Sequence, residues 1–286
     1  MSTHTFQIGD YTCHSLVDFT RVRSLRHNFP KINPAELTKE IEALGLDLTV
    51  DTEIPLHGSA LLIDTGEKKI LIDAGLSTAA GGHLVQSLAN LDLTPEDIDL
   101  VVVTHGDGDH IGGLGNYAKA KIVMPTNSYK LWTQDTDGMV EDFIKLFREV
   151  QPEEELAATA IGRAKYADVL DQLGDRVVLV EFGEEIAPGI SMFDASGHRR
   201  DHAGVQIISQ GESLLHIADA WRHPIQLKRP DFYCLFDSDP ETLATTMNSL
   251  LEKAAQNDAV VFGAHFPFPA IIKIAAENGA YQWINL

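Results

Sequence analysis

The sequence predicts an α/β fold with a helical insertion. Three observations carry that prediction. Short apolar runs of β type recur along most of the chain, several helix starts are marked by an N-cap residue followed by proline, and residues 127–175 keep helical spacing. The 286 residues, with 44% apolar content, can bury a large core, as one big domain or two small ones. With no internal repeat and no Gly/Ser linker, the expectation is one domain over 1–286, with a helical N-terminal segment at 33–45 and a cap-like insertion at 127–175.

The first quarter reads β, then helix, then β. Asn33 as N-cap, Pro34 at N1 and Glu36 at N3 start a helix; Leu37, Ile41 and Leu44 share its face, and Gly45 ends it. The runs Ser59–Asp64 and Lys69–Asp73, around the turn Thr65-Gly66-Glu67, make a hairpin. Thr94-Pro95-Glu96-Asp97 starts another short helix. Leu100-Val101-Val102-Val103 then reads as a strand buried on both faces. In the insertion, Met139, Val140, Phe143, Ile144 and Phe147 keep helical spacing, as do Leu156, Ala160, Ala164, Ala167 and Leu170. Strand-type runs return at 177–180, 190–193, 205–208 and 214–217. Asp239-Pro240-Glu241 caps a helix through Leu243, Met247, Leu250 and Ala254, and Ala259–Phe262 reads as the last buried strand.

Composition narrows the function. Only 22 Lys and Arg face 42 Asp and Glu, a net charge of -20, whereas a nucleic-acid binder needs clustered cations to displace phosphate counterions. The expected partner is a small-molecule substrate, not nucleic acid or membrane, with a homodimer an allowed assembly. Cys13 and Cys234 make no disulfide framework. The N-terminus has neither a basic nor an apolar leader region, and no 18-residue apolar stretch occurs, so the expected location is the cytoplasm.

The strongest chemical signal is His105-Gly106-Asp107-Gly108-Asp109-His110, four metal-binding side chains within six residues directly after the valine strand. A lone His or Asp in a loop is usually a solvated turn residue, and Asp107 alone would read that way. Four together reverse the odds. In an extended or tight loop alternate residues point to opposite sides, so one loop can feed two adjacent metal positions, with Gly106 and Gly108 supplying unusual dihedrals. Three later residues also sit just past β-type runs: His198 after Gly197, Asp219 after Leu214–Ala218, and His265 after Ala259–Phe262. Together these seven supply enough nitrogen and oxygen donors for two metal ions.

This order of donors resembles the metallo-β-lactamase superfamily. The hairpin ending in Ile72-Asp73-Ala74-Gly75 looks like that family's early strand pair with its structural Asp. The segments Ile217–Gln226, Phe236–Pro240 and Gly263–Pro267 look like the branch that contains methyl parathion hydrolase and the quorum-quenching lactonases. The resemblance covers residues 55–270 and implies a four-layer αβ/βα sandwich with a helical insertion. It implies a metal-dependent hydrolase acting on a small ester-like substrate: lactone, carboxylic ester or phosphotriester. One metal would take His105, position 107 and His198; the other would take Asp109, His110 and His265, with Asp219 bridging. Asp109 and Asp219 are the catalytic candidates, since a hydroxide held between the two ions would be the nucleophile.

The departure is Asp107, where the family usually has His. The usual set supplies two carboxylates and this one three, so two divalent ions plus hydroxide sum to neutrality and make a weaker Lewis acid. Zinc comes first as the metal, with manganese or iron admitted by the hard Asp107 oxygen. Asp107 is then expected to be the weaker ligand and its half of the centre the more easily emptied. An acidic residue here also resembles the diiron oxygen reductases, so a redox enzyme of that or the sulfur-dioxygenase kind is the alternative, together with a non-catalytic metal-binding relative. Competence-type nucleases also carry Asp at this position. Trp221, His223 and Phe266 are the pocket candidates, with Phe268 beside them, and Trp132, Phe143 and Phe147 the cap; for all these aromatics a plain core role competes. His202 would orient the site or be an ordinary polar residue.

Overall fold

Two seven-stranded sheets pack face to face in this computed structural model, which describes residues 2–138, 141, 144, 166–234, 236–277 and 280–286. The first sheet runs in sequence order: β1 (Thr3–Ile8), β2 (Tyr11–Ser24), β3 (Glu53–Asp64), β4 (Lys69–Ile72), β5 (Leu100–Val102), β6 (Lys121–Pro125) and β7 (Val177–Val180). It is antiparallel from β1 to β4 and parallel from β4 to β7. The second sheet holds β8 (Glu185–Ala187), β9 (Ile190–Asp194), β10 (Ala203–Ser209), β11 (Glu212–His216), β12 (Val260–Phe262), β13 (Ile271–Glu277) and β14 (Ala280–Asn285), in the reverse spatial order.

The inner faces meet in one apolar core. Ile63, Ile70, Ile72 and Val102 of the first sheet are buried together with Met192, Val205, Ile207, Leu215 and Val261 of the second. Each sheet then covers its outer face with helix. Leu62, Leu71, Val101 and Val103 bury against Leu84, Leu88, Trp132 and Leu170 on one side. Leu243, Met247, Leu250 and Leu251 of the helix Pro240–Gln256 cover the other. This is the layered sandwich that the resemblance implied. Val101, Val102 and Val103 are at most 2% exposed because β5 lies mid-sheet with core on both faces.

The helix starts follow their caps. Asn33 accepts from the Ala35 amide at the head of the helix Pro34–Ala43, with Leu37 and Ile41 buried. Asp239 accepts from the Thr242 amide in the same way. Thr94 heads only a single tight turn, Pro95–Asp97. In the insertion the helices Thr126–Gln134 and Tyr166–Leu173 are present. Most of the predicted helical positions between them, including Met139, Val140, Phe143, Phe147, Leu156, Ala160 and Ala164, lie outside the described residues.

Two expectations are corrected. The strand β12 is not the last, because β13 and β14 form a hairpin that extends the second sheet. Ile272 and Ile274 alternate inward with Lys273 between them, the period of a half-buried strand. The short β8 also went unread, and it pairs only at the sheet's edge. Among the described residues, no helix is long and apolar enough to cross a membrane.

Candidate metal centre

The centre lies where strands of both sheets end at one edge of the sandwich. His105 follows β5, His198 follows β9, Asp219 follows β11 and His265 follows β12. Main-chain bonds lock these loops together. The Ala203 amide donates to the Thr104 carbonyl, the Ala264 amide to Ala218, and the Ser59 amide to Ala264. Two non-glycine residues here hold left-handed backbone, Asp73 at φ 66° and Ala218 at φ 45°. Such conformations cost energy and persist where the surroundings over-determine them.

Of the two expected forms of the loop after β5, extended or tight, the structure shows a tight turn. Asp107 is the N-cap of a single helical turn, Gly108–Ile111, which carries Asp109 and His110. Neither Gly106 nor Gly108 takes a positive φ, so special dihedrals are not their role. The glycines that matter locally are elsewhere. A Cβ on Gly113 would sit 2.1 Å from the Ala74 carbonyl oxygen, and one on Gly197 would sit 2.4 Å from the Leu243 Cα. Gly113 therefore lets the helical turn seat against the segment after Asp73. Gly197, at φ 130°, lets the His198 loop dock on the helix Pro240–Gln256.

The structure brings the seven predicted residues into three overlapping groups: His105, His110 and Asp219; His105, Asp107 and His198; and Asp109, His110 and His265. Within each group the donor atoms lie within 4.8 Å of one another. The imidazoles are all held from behind. His110 Nδ1–H donates to Asp73 at 2.7 Å, His198 Nδ1–H to Asp237 at 2.7 Å, and His265 Nδ1–H to the His57 carbonyl at 2.8 Å. The Thr104 hydroxyl gives its one proton to Asp73, so toward His105 it can only accept, from Nδ1–H at 3.1 Å. This network pins each ring through Nδ1 and turns every Nε2 into the centre, where it is a bare acceptor whenever the ring is neutral.

Those bare nitrogens face carboxylate oxygens. His265 Nε2 lies 3.1 Å from Asp219 Oδ2, His110 Nε2 3.2 Å from Asp219 Oδ1, and His198 Nε2 3.4 Å from Asp219 Oδ2. Among the described residues, the buried Nε2 atoms of His105, His110 and His198 and Oδ1 of Asp219 have no hydrogen-bond partner of sound geometry. Acceptors converging on acceptors in a buried site call for cations between them, and the donor set of imidazole nitrogen and carboxylate oxygen fits divalent metal ions.

The electrostatics agree. Burial pulls His110 toward neutrality, but Asp219, Asp73 and Asp109 outweigh it and hold its pKa well above the ordinary value of 6.5. Burial, reinforced by the neighbouring His110, drops His105 well below 6.5. Burial opposes ionisation of Asp219, yet His265, Arg222 and His110 keep its carboxyl well below the usual range. His202 is pushed down to about 3 by burial and by His198. It accepts from the Asp219 amide through Nε2 at 3.1 Å and donates to the Ala195 carbonyl through Nδ1, so it orients the Asp219 backbone.

Several participants had no signal in the sequence. Arg199 pairs with Asp107, and Arg222 donates to Asp219 at 2.6 Å from a nearly buried position. The charge sum from the sequence counted the donors alone and left out both of these cations. Asp201 accepts from the Gly106 amide and from Trp132 Nε1, which ties the start of the helical insertion to the loop of His105 and His110. Asp18 takes three main-chain amides, from Leu76, His83 and Leu84, and lines a small recess beside Asp109, His110 and His265.

Two pocket candidates are corrected. Trp221 and Phe266 are fully buried in the core between the sheets, Phe266 against Trp283 at a ring distance of 4.4 Å, and so neither faces a substrate. Trp132 is likewise core. His223, half-buried, is lowered to about 4 by burial, and its Nδ1 accepts from the Ile225 amide, a local turn contact. Phe143 and Phe147 lie outside the described residues.

Comparison with known proteins agrees with this architecture. A family model of the metallo-beta-lactamase superfamily matches residues 54–265. The exodeoxyribonuclease WalJ of Streptococcus pneumoniae is 40% identical over 62 residues, which span 22% of this chain and 22% of that protein. Among solved structures, AidC, a dizinc quorum-quenching lactonase, superposes with a TM-score of 0.85 at 21% identity, over 99% of this chain and 97% of AidC. The hydrolase AbOPH superposes with a TM-score of 0.83 at 23% identity and the same coverage. The chain belongs to the metallo-beta-lactamase superfamily and has the fold of its metal-dependent hydrolases.

Proposed function

We propose that this protein is a hydrolase that uses two divalent metal ions on a small ester-like substrate: a lactone, a carboxylic ester or a phosphotriester. The observation that carries the reading is the set of imidazoles pinned at Nδ1 whose Nε2 atoms converge on Asp219. His105, Asp107 and His198 would hold one ion, Asp109, His110 and His265 the other, and Asp219 both. Zinc suits the four imidazoles, with manganese or iron as competitors for the Asp107 oxygen. Such ions supply Lewis acidity toward a scissile carbonyl or phosphoryl group and lower the pKa of water.

The chain's own residues do the rest. Asp73, Thr104 and Asp237 orient the imidazoles; Arg222 and His202 fix Asp219 from its two ends. Asp109 is the most exposed member of the set, with a side chain 25% accessible, and it borders the recess. In this reading it is the group that meets substrate and takes up or hands on a proton.

A second reading is supported by the WalJ segment, which favours a nucleic-acid phosphodiester as substrate. The net charge of -20 argues against a polyanion. The deciding experiment is a panel of lactones, p-nitrophenyl esters and phosphotriesters set against single-stranded DNA and RNA, with and without chelator. Chelator-sensitive turnover of the small esters is expected. Chelator-sensitive cleavage of nucleic acid with none of the esters turned over would reverse the ranking.

A further inference from the structure

The residue that breaks the expected donor pattern holds a guanidinium on both of its carboxylate oxygens. Arg199 Nε donates to Asp107 Oδ1 at 3.0 Å and Nη2 donates to Oδ2 at 2.6 Å, a bidentate fork on the carboxylate. The Arg199 side chain is only 3% exposed and that of Asp107 15%. Arg199 Nη1 also donates to the carbonyl of His198, so the guanidinium is fixed to the loop that carries a neighbouring donor. On its far side Asp107 Oδ2 faces His198 Nε2 at 3.5 Å and His105 Nε2 at 3.8 Å.

A carboxylate oxygen has two lone-pair directions. The Arg199 fork takes one on each oxygen, and Oδ2 keeps a second within 3.5 Å of His198 Nε2 and 3.8 Å of His105 Nε2. Arginine stays protonated at any working pH, so the pair as a whole is neutral. A neutral imidazole at position 107 would present one bare nitrogen to the same two rings. The pair presents one oxygen lone pair and, like the imidazole, no net charge.

We propose that Asp107 and Arg199 act as one neutral unit in the place where the superfamily usually has His, with Arg199 a positioning residue that acts on the metal through Asp107. The extra negative charge read from the sequence is then cancelled within the unit. It follows that replacing Asp107 by the more usual His would harm the site. Arg199 would lose its bidentate carboxylate, and its nearly buried charge would no longer be cancelled within the unit. Removing Arg199 alone would instead bare the carboxylate and tighten the metal.

This inference rests on the reading of the cluster as a metal centre. The test measures zinc equivalents by elemental analysis and zinc affinity by chelator competition on the full-length parent, Asp107→His, Arg199→Leu and Asp107→His/Arg199→Leu, with the fold of each metal-free variant checked by circular dichroism. The weaker-bound zinc of Asp107→His should bind at least tenfold less tightly than the parent's, and the double variant should return to within a few-fold of the parent. Arg199→Leu should bind zinc several-fold more tightly, a direction that loss of a merely structural contact would not give. Asp107→His binding as tightly as the parent, or a double variant no better than Asp107→His, overturns the proposal while leaving the metal centre intact. If Asp107→His does not fold, Arg199→Leu decides alone, and unchanged or weaker binding overturns it. A parent that binds no zinc overturns both this unit and the metal centre.

Discussion

At the residue scale, the site's chemistry is set by groups that would not touch the metal. Asp237 is fully buried and takes the Nδ1–H of His198; burial opposes its charge, but the bond to His198 and the nearby Arg222 hold its carboxyl below the usual range. It also accepts from the Cys234 amide, so one carboxylate both fixes the His198 ring and anchors the segment before the helix Pro240–Gln256. Outer partners of this kind typically contribute about 10–100-fold to metal affinity. Asp237→Ala should therefore weaken zinc binding by about that factor in a competition titration while the seven donors remain. Affinity equal to the parent's would show that the His198 ring needs no support from behind.

At the scale of elements, each donor is placed by a strand end, and close contacts between segments hold these ends in register. The turn Gly108–Ile111 carries Asp109 and His110, and it seats through the Ala74 amide donating to the His110 carbonyl and the Gly113 amide donating to Gly75. A methyl group on Gly113 meets the Ala74 carbonyl oxygen, so Gly113→Ala must push the turn away. Overpacking of this kind costs about 1–3 kcal/mol. The variant should melt lower and lose zinc from the Asp109, His110 and His265 half first, which differential scanning and elemental analysis would read; an unchanged melt would mean that the turn can shift freely. What was legible in the sequence follows the same division. Strand ends with their His and Asp residues could be read because hydrophobic runs and donor types are local. The caps at Asn33 and Asp239 were legible for the same reason. The pairing of Arg199 with Asp107, 92 residues away, was not, because no local pattern encodes which surface charge folds inward. Trp221 and Phe266 were misread because adjacency to a donor in sequence says nothing of the side a ring faces, and both turn into the inter-sheet core.

At the scale of the molecule, the proposed centre is a cross-link between sheets. His105, Asp107, Asp109 and His110 come from the first sheet, and His198, Asp219 and His265 from the second. Without metal ions the carboxylates of the site are compensated only in part, by Arg199 and Arg222 and by the protons on rings such as His110. Ions that bind the folded chain alone therefore stabilise the whole sandwich, by about 4 kcal/mol when free metal is a thousandfold above its dissociation constant. For a chain of this size that corresponds to a melting temperature raised by roughly 8 °C, at roughly 2 °C per kcal/mol. The most direct test is a melt of the protein before and after dialysis against a chelator, with metal content measured on both samples. The account predicts two metal equivalents before dialysis, near none after, and a fall in melting temperature of roughly that size that is reversed by added zinc. An isolated protein that carries no metal and melts at the same temperature with zinc or with chelator would contradict it.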